Sequence, residues 1–150
     1  MQRNASQQDT KVKIEALGRK CSVYAADLGV GTEIEGLIER IRADHAFQIL
    51  VNVAGIQRRL AASTFPDEAY DEVLQTNLKA TFKLCKDTGK YWIDEGIKGC
   101  IINTASLASF QGGINMVAYA TSKGGVHMLT KALSNEWAGK GIRVNAVAPG

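Results

Sequence analysis

Cysteine is scarce in this chain. Cys21, Cys85 and Cys100 are an odd set with no CxxC or other metal-ligand spacing. That argues against a disulfide framework or a metal centre, and fits reduced, buried thiols inside a cell. Long apolar runs are lacking as well. None approaches the ~20 residues that cross a bilayer, and the opening MQRNASQQDT has no apolar core of the signal-peptide kind. No membrane partner is expected, and the expected location is the cytoplasm. Nor is charge of one sign concentrated anywhere. The 18 Lys and Arg against 15 Asp and Glu leave a net charge of +3 with no basic run or stripe, which speaks against nucleic acid as a partner. There is no internal repeat, low-complexity tract or linker.

What is present has the size of one domain with a real core: 150 residues, 45% of them apolar. Ser6 is a plausible N-cap for a helix over 7–17, stopped at Gly18. KCSVYAA at 20–26 reads as a strand of β-formers. Thr32 then caps a helix over 33–44 with Ile34, Leu37, Ile38 and Ile41 on one face. FQILVNV at 47–53 is a short apolar strand of the kind buried on both faces of a parallel sheet. After a loop over 56–63, a helix with interruptions is expected over 67–95, with Ala69, Val73, Leu74, Leu78, Phe82 and Cys85 on its apolar side. CIINT at 100–104 and IRVNAVA at 142–148 are further apolar strands. Between them a long helix covers 117–138, with Val126, Leu129, Thr130 and Leu133 inward. Apolar strands alternating with helices predict an α/β fold, a doubly wound, Rossmann-like parallel sheet.

In such a sheet ligands bind beyond the C-terminal strand ends. Asp27-Leu28 follows the first predicted strand, Asn52-Val53-Ala54-Gly55 the second, Ser106 the third and Pro149-Gly150 the last. Ser106 stands thirteen residues before Tyr119, and Lys123 stands four after it. On a helix Tyr119 and Lys123 share a face. A phenol titrates near ~10, and a neighbouring ammonium lowers that value by favouring the phenolate. With a serine hydroxyl to hold the substrate oxygen, the three form an acid/base set for exchanging a carbonyl and an alcohol. Asn77 is the other unusual residue. Asparagine inside a helix competes for backbone groups. Its position fits either a solvent-facing side chain or a local interruption whose exposed carbonyl holds a water near Lys123.

Together these residues resemble the short-chain dehydrogenase/reductase family over nearly the whole chain. Asn52 to Gly55 is similar to its NNAG turn, with Val53 departing from the second asparagine. The resemblance implies catalytic roles for Asn77, Ser106, Tyr119 and Lys123. It implies cofactor contacts from Asp27 and Leu28 at the adenine, Asn52, Ala54 and Gly55 near a ribose, Tyr119 and Lys123, and Pro149 and Gly150 over the nicotinamide. The implied reaction is hydride transfer between NAD or NADP and a secondary alcohol or ketone. NAD is favoured, because SLASFQGGI, GIQRR and NEWA resemble the branch acting on sugar acids such as 2-deoxygluconate and gluconate. A sugar acid needs a cation for its carboxylate, which Arg58 or Arg59 supplies, and polar partners such as Ser106 and Gln111. A polyol or a 3-ketoacyl compound is the alternative substrate.

Against the family pattern, no G-x-x-x-G-x-G precedes Asp27. The chain is expected to start inside the family's second strand, with Met1 to Arg3 as its remnant, and to stop before the final strand. Residues 1–150 are thus expected to be part of one Rossmann-type domain, without the first strand, the glycine loop and the C-terminal strand. Gln2-Arg3-Asn4 falls where cofactor choice is made, and Arg3 could pair with the 2′-phosphate of NADP. A second reading is a homologue that keeps the catalytic residues yet cannot bind cofactor. A homotetramer or homodimer is expected for the complete form.

Overall fold

A computed structural model describes residues 5–150, with side chains from Asp9 onward. The remnant expected at Met1 to Arg3, the cofactor-selecting Gln2-Arg3-Asn4 and the side chain of Ser6 lie outside them. The elements in order are α1 (Ala5–Ala16), α2 (Gly31–Ile34), α3 (Leu37–Asp44), β1 (Ile49–Asn52), α4 (Asp67–Leu74), a π-turn (Gln75–Lys79), α5 (Ala80–Asp94), β2 (Cys100–Thr104), α6 (Ala108–Gln111), α7 (Val117–Trp137) and β3 (Arg143–Val147).

The three strands form a parallel sheet in the order β1-β2-β3, with Leu50, Ile101 and Val144 in register. Helices α5 and α7 pack on one face, as parallel connections require. The core there joins Cys85, Tyr91, Trp92, Ile101, Leu133, Trp137, Ile142 and Val144, and the Trp92 indole donates to the Phe47 carbonyl at 2.8 Å. Val126 and Leu133 are buried on α7 as expected, with Thr130 beside them. A ladder of polar side chains crosses this interface. The Asn52 amide donates to Asn103 Oδ1 at 2.9 Å, and the Asn103 amide donates to Thr130 Oγ1 at 3.0 Å. The polar groups of this ladder are thereby paired, and β1, β2 and α7 are held at one depth.

Four expectations are corrected. Residues 20–26 form no strand, because β-propensity supplies no partner, and the segment pairs with no strand among the described residues. The helix over 33–44 is two pieces, since Glu35 is extended and Gly36 adopts φ 67°, a left-handed conformation that ends a helix; Thr32 lies inside α2 and caps nothing. β1 is shorter than 47–53 and is not buried on both faces. Ile49 is 64% and Val51 52% exposed, because helices cover only the opposite face among the described residues. Phe82, expected inward, is 45% exposed; after the π-turn the buried stripe runs through Thr81, Cys85, Thr88 and Trp92. An extra residue in one turn rotates the remainder of the helix by roughly a quarter of a circle.

Candidate active site

The site is assembled where the π-turn, the β2 end and α7 meet. At the π-turn Ala80 N–H reaches back five residues to the Gln75 carbonyl. Asn77 sits at its centre and is almost fully buried. Its side chain grips the loop after β1 in both directions: Oδ1 accepts Ile56 N–H at 2.8 Å, and Nδ2 donates to the Ile56 carbonyl at 2.9 Å. Nδ2 also donates to Ser122 Oγ at 3.0 Å, and Ser122 donates to the Tyr119 carbonyl at 2.8 Å. The helix interruption expected at Asn77 is present. The carbonyl expected to hold a water accepts the Thr81 hydroxyl at 2.8 Å, which takes up one of its two lone pairs. Gly125 lets α7 lie against the turn, since a Cβ there would stand 2.7 Å from Leu78 Cδ2.

Helix α7 presents Tyr119 and Lys123 on one face. Lys123 is buried and its Nζ donates to the Thr104 carbonyl at 2.6 Å. The same Nζ lies over the Tyr119 ring, 5.8 Å from its centroid. Burial holds the Lys123 ammonium below its ordinary proton affinity. Two residues beyond Thr104, the Ser106 hydroxyl accepts the Ala108 N–H at 3.1 Å. That bond occupies a lone pair and leaves the hydroxyl proton available to an incoming oxygen. Cys85, by contrast, is buried with its thiol pushed up to about 12, and takes no part as a nucleophile.

Ser106 and Tyr119 face one cavity of about 280 Å³, lined also by Gln57, Arg59, Leu107, Ala108, Gln111, Gly112 and Met116. Leu60 N–H donates to the carbonyl of Asn115, at 3.2 Å, and so holds the Arg59 loop against the far wall. The two arginines are separated by the fold. Arg59 lines the cavity, whereas Arg58 pairs with Glu72 at 2.9 Å on the side of α4. A larger cavity of about 420 Å³ lies between α7 and β3 and touches none of Ser106, Tyr119 and Lys123.

Of the expected cofactor residues, Ala54 and Gly55 follow β1 and Pro149 and Gly150 follow β3, whereas Asp27 and Leu28 follow a segment that is not a strand. Gly55 forms the floor: a Cβ there would stand 3.4 Å from Asn77 Oδ1 and 3.6 Å from Lys123 Nζ. Glycine therefore keeps a path open to both groups, and Ala54 beside it is exposed. Asp27 Oδ1 accepts Gly29 N–H at 3.0 Å, and the Leu28 carbonyl accepts the Gln75 amide at 3.4 Å. The Thr76 hydroxyl lies beside that turn, buried and without a partner among the described residues. Such an orphaned donor fits a ligand at this edge. The Pro149 carbonyl accepts Leu107 N–H at 3.1 Å, bringing the chain after β3 to the serine loop, while Gly150 is exposed. The Asn52 amide nitrogen donates to Asn103 Oδ1 and Cys85 Sγ, and so braces the sheet at the root of the turn after β1.

Two hydroxyls in this arrangement escaped the sequence reading, Ser109 and Ser122. Ser122 carried a signal of the kind that pointed to Asn77, a small polar residue inside a helix.

The sequence pattern described as short chain dehydrogenase matches residues 1–150. The 2-dehydro-3-deoxy-D-gluconate 5-dehydrogenase of Pseudoalteromonas atlantica is 43% identical over 143 residues, covering 95% of this chain and 56% of that protein. A candidate NAD(P)-dependent gluconate 5-dehydrogenase from Beutenbergia cavernae, solved with NADP bound at low occupancy, superposes with a TM-score of 0.90 at 39% identity, over 95% of this chain and 57% of that one. A candidate 2-deoxy-D-gluconate 3-dehydrogenase from Agrobacterium tumefaciens, solved with bound NADP, gives 0.86 at 41% identity, over 95% and 56%. The chain spans just over half the length of these relatives. No helix among the described residues is long and apolar enough to cross a membrane.

Proposed function

The chain belongs to the short-chain dehydrogenase family, and on that premise we propose that it oxidises or reduces a sugar acid with a nicotinamide dinucleotide. The observation that carries this is one cavity shared by Ser106 and Tyr119, with Lys123 clamped over the tyrosine ring. Residues 1–150 form part of one Rossmann-type dinucleotide-binding domain. Asp27, Leu28, Asn52, Ala54, Gly55, Tyr119, Lys123, Pro149 and Gly150 would contact the dinucleotide. When bound, the dinucleotide takes up or returns the hydride. The chain handles the oxygen and its proton. Ser106 donates a hydrogen bond to the substrate oxygen, Tyr119 takes the hydroxyl proton during oxidation, and the Lys123 charge stabilises the tyrosine when it is deprotonated. Asn77 holds the floor of the groove at Ile56 and the Tyr119 end of α7 through Ser122.

The sugar-acid class is supported by the names of the relatives and by Arg59 in the cavity wall. Arg59 pairs with the substrate carboxylate and Gln111 with a hydroxyl, while Arg58 is taken up by Glu72 of α4. Turnover over sugar acids, polyols and 3-ketoacyl thioesters tests the class. Arg59→Ala is expected to raise KM for the acid by about 10- to 100-fold, the worth of one charged hydrogen bond. Arg58→Ala is expected to change it less than about twofold, as for a surface ion pair. A polyol or thioester used faster than any sugar acid overturns the assignment. A chain that binds neither dinucleotide is the inactive homologue instead. The preference for NAD rests on the sugar-acid resemblance alone, and two solved relatives hold NADP; parallel turnover with each decides it.

The three free cysteines support a cytoplasmic location. A homotetramer or homodimer would form through α5 and α7, where Phe82 is 45% and Met128 60% exposed. A single-chain mass in light scattering overturns that.

A further inference from the structure

We infer that Ser109 is a positioning residue that locks the Ser106 loop to helix α7 through one bridging hydroxyl. The inference rests on the dehydrogenase reading, and goes beyond it in naming what fixes the distance between the two proton-handling groups.

Ser109 is the second residue of α6, the short helix after β2. Its Oγ accepts the backbone N–H of Ser106 at 3.1 Å and donates to the backbone carbonyl of Lys123 at 2.8 Å. A hydroxyl has one proton and two lone pairs, so a single atom here serves both as acceptor and as donor. Neither bond belongs to a helix or strand ladder. Together they cross-link the catalytic serine's own amide to the backbone of the catalytic lysine. The other end of Lys123 is tied to the same stretch, because its Nζ donates to the Thr104 carbonyl at 2.6 Å. Lys123 is thus held to 104–106 at both its tip and its backbone. Only the backbone tie is independent of the group that does chemistry.

The consequence concerns the substrate oxygen. Ser106 and Tyr119 must both reach one atom, and they stand on different elements. Ser106 rides on the loop after β2, and Tyr119 is one turn before Lys123 on α7. Their separation is set by how firmly loop and helix are joined. A misplacement of about 1 Å in such a pair costs about 100-fold in rate. Without the Ser109 hydroxyl the Ser106 amide also loses its acceptor, so the loop is free to move and take up another hydrogen bond. Alanine cannot replace serine here, whereas threonine keeps the hydroxyl.

Two readouts test this on the full chain. The first is amide hydrogen exchange at Ser106, followed by NMR. The Ser106 amide is expected to be protected in the unaltered protein, to exchange at least tenfold faster in Ser109→Ala, and to be protected again in Ser109→Thr. The second is turnover with sugar acid and dinucleotide. Ser109→Ala is expected to lower kcat by 10- to 100-fold with KM for the dinucleotide unchanged, and Ser109→Thr to recover most of the loss. Three results overturn the inference: an unprotected Ser106 amide in the unaltered protein, equal exchange in Ser109→Ala and the unaltered protein, or faster exchange with unchanged kcat. If the unaltered protein turns nothing over, the proposed reaction fails, and the exchange measurements still decide the bridge. They do so even if Ser109→Ala does not fold, because protection in the unaltered and threonine proteins is read directly.

Discussion

Tyr119→Phe is expected to lower kcat by about 10²- to 10⁴-fold, the usual worth of a positioned acid/base group, with dinucleotide binding nearly unchanged. The substitution is selective because it removes one oxygen and nothing else. The ring that lies beneath Lys123 remains. So does the bond from Lys123 to the Thr104 carbonyl, which fixes the ammonium without help from the phenol. The Ser122 hydroxyl donates to the Tyr119 backbone carbonyl, not to its side chain, so the link to Asn77 also survives. Removing a group that acts only in the transition state lowers kcat and kcat/KM together. Turnover under saturating cofactor and an NADH fluorescence titration check both halves. Retention of more than a few per cent of activity would mean that another group takes the proton.

The site was readable in the sequence as far as spacing determines geometry. Four residues on a helix put Tyr119 and Lys123 on one face, and the three apolar runs became β1, β2 and β3 with Ser106 just beyond β2. Spacing does not supply partners. KCSVYAA has the composition of a strand, but a strand exists only when another lies beside it, and none does among the described residues. Nor does spacing give orientation between neighbours. Arg58 and Arg59 look alike in the chain, yet only the position of Glu72 on α4 turns Arg58 away and leaves Arg59 to the cavity. The break at Gly36 was hidden for a different reason. A helical pattern of apolar residues continues across it, and only the backbone shows the positive φ that splits the helix.

Hydroxyl bridges were the least legible part. Ser109 and Ser122 each make one hydrogen bond three residues back and one to a segment distant in sequence. Their roles depend on which carbonyl or amide the fold brings within about 3 Å, the reach of a hydrogen bond. The same holds for Asn52. Its motif pointed to the cofactor, while its burial beside Asn103 directs its amide into the sheet.

A large effect on stability is expected at Asn77. Asn77→Ala removes three hydrogen bonds at once and strands the Ile56 N–H, the Ile56 carbonyl and a share of the Ser122 hydroxyl. Each abandoned buried group costs about 1–3 kcal/mol, and partial access to water at Ile56 brings the sum to about 2–5 kcal/mol. Against a typical stability of about 5–15 kcal/mol, that is a large fraction. Urea unfolding with an unchanged slope would measure it. Asn77→Asp separates the two directions of the grip. It keeps an acceptor for Ile56 N–H but loses both donors, and its new charge stands near Lys123 Nζ across the Gly55 floor. It is therefore expected to fall between the alanine variant and the unaltered protein. A loss below about 0.5 kcal/mol in Asn77→Ala, the size of an ordinary surface change, would mean that the π-turn is held by Leu78 packing on Gly125 alone. The asparagine would then be there for the chemistry of the groove and not for its shape.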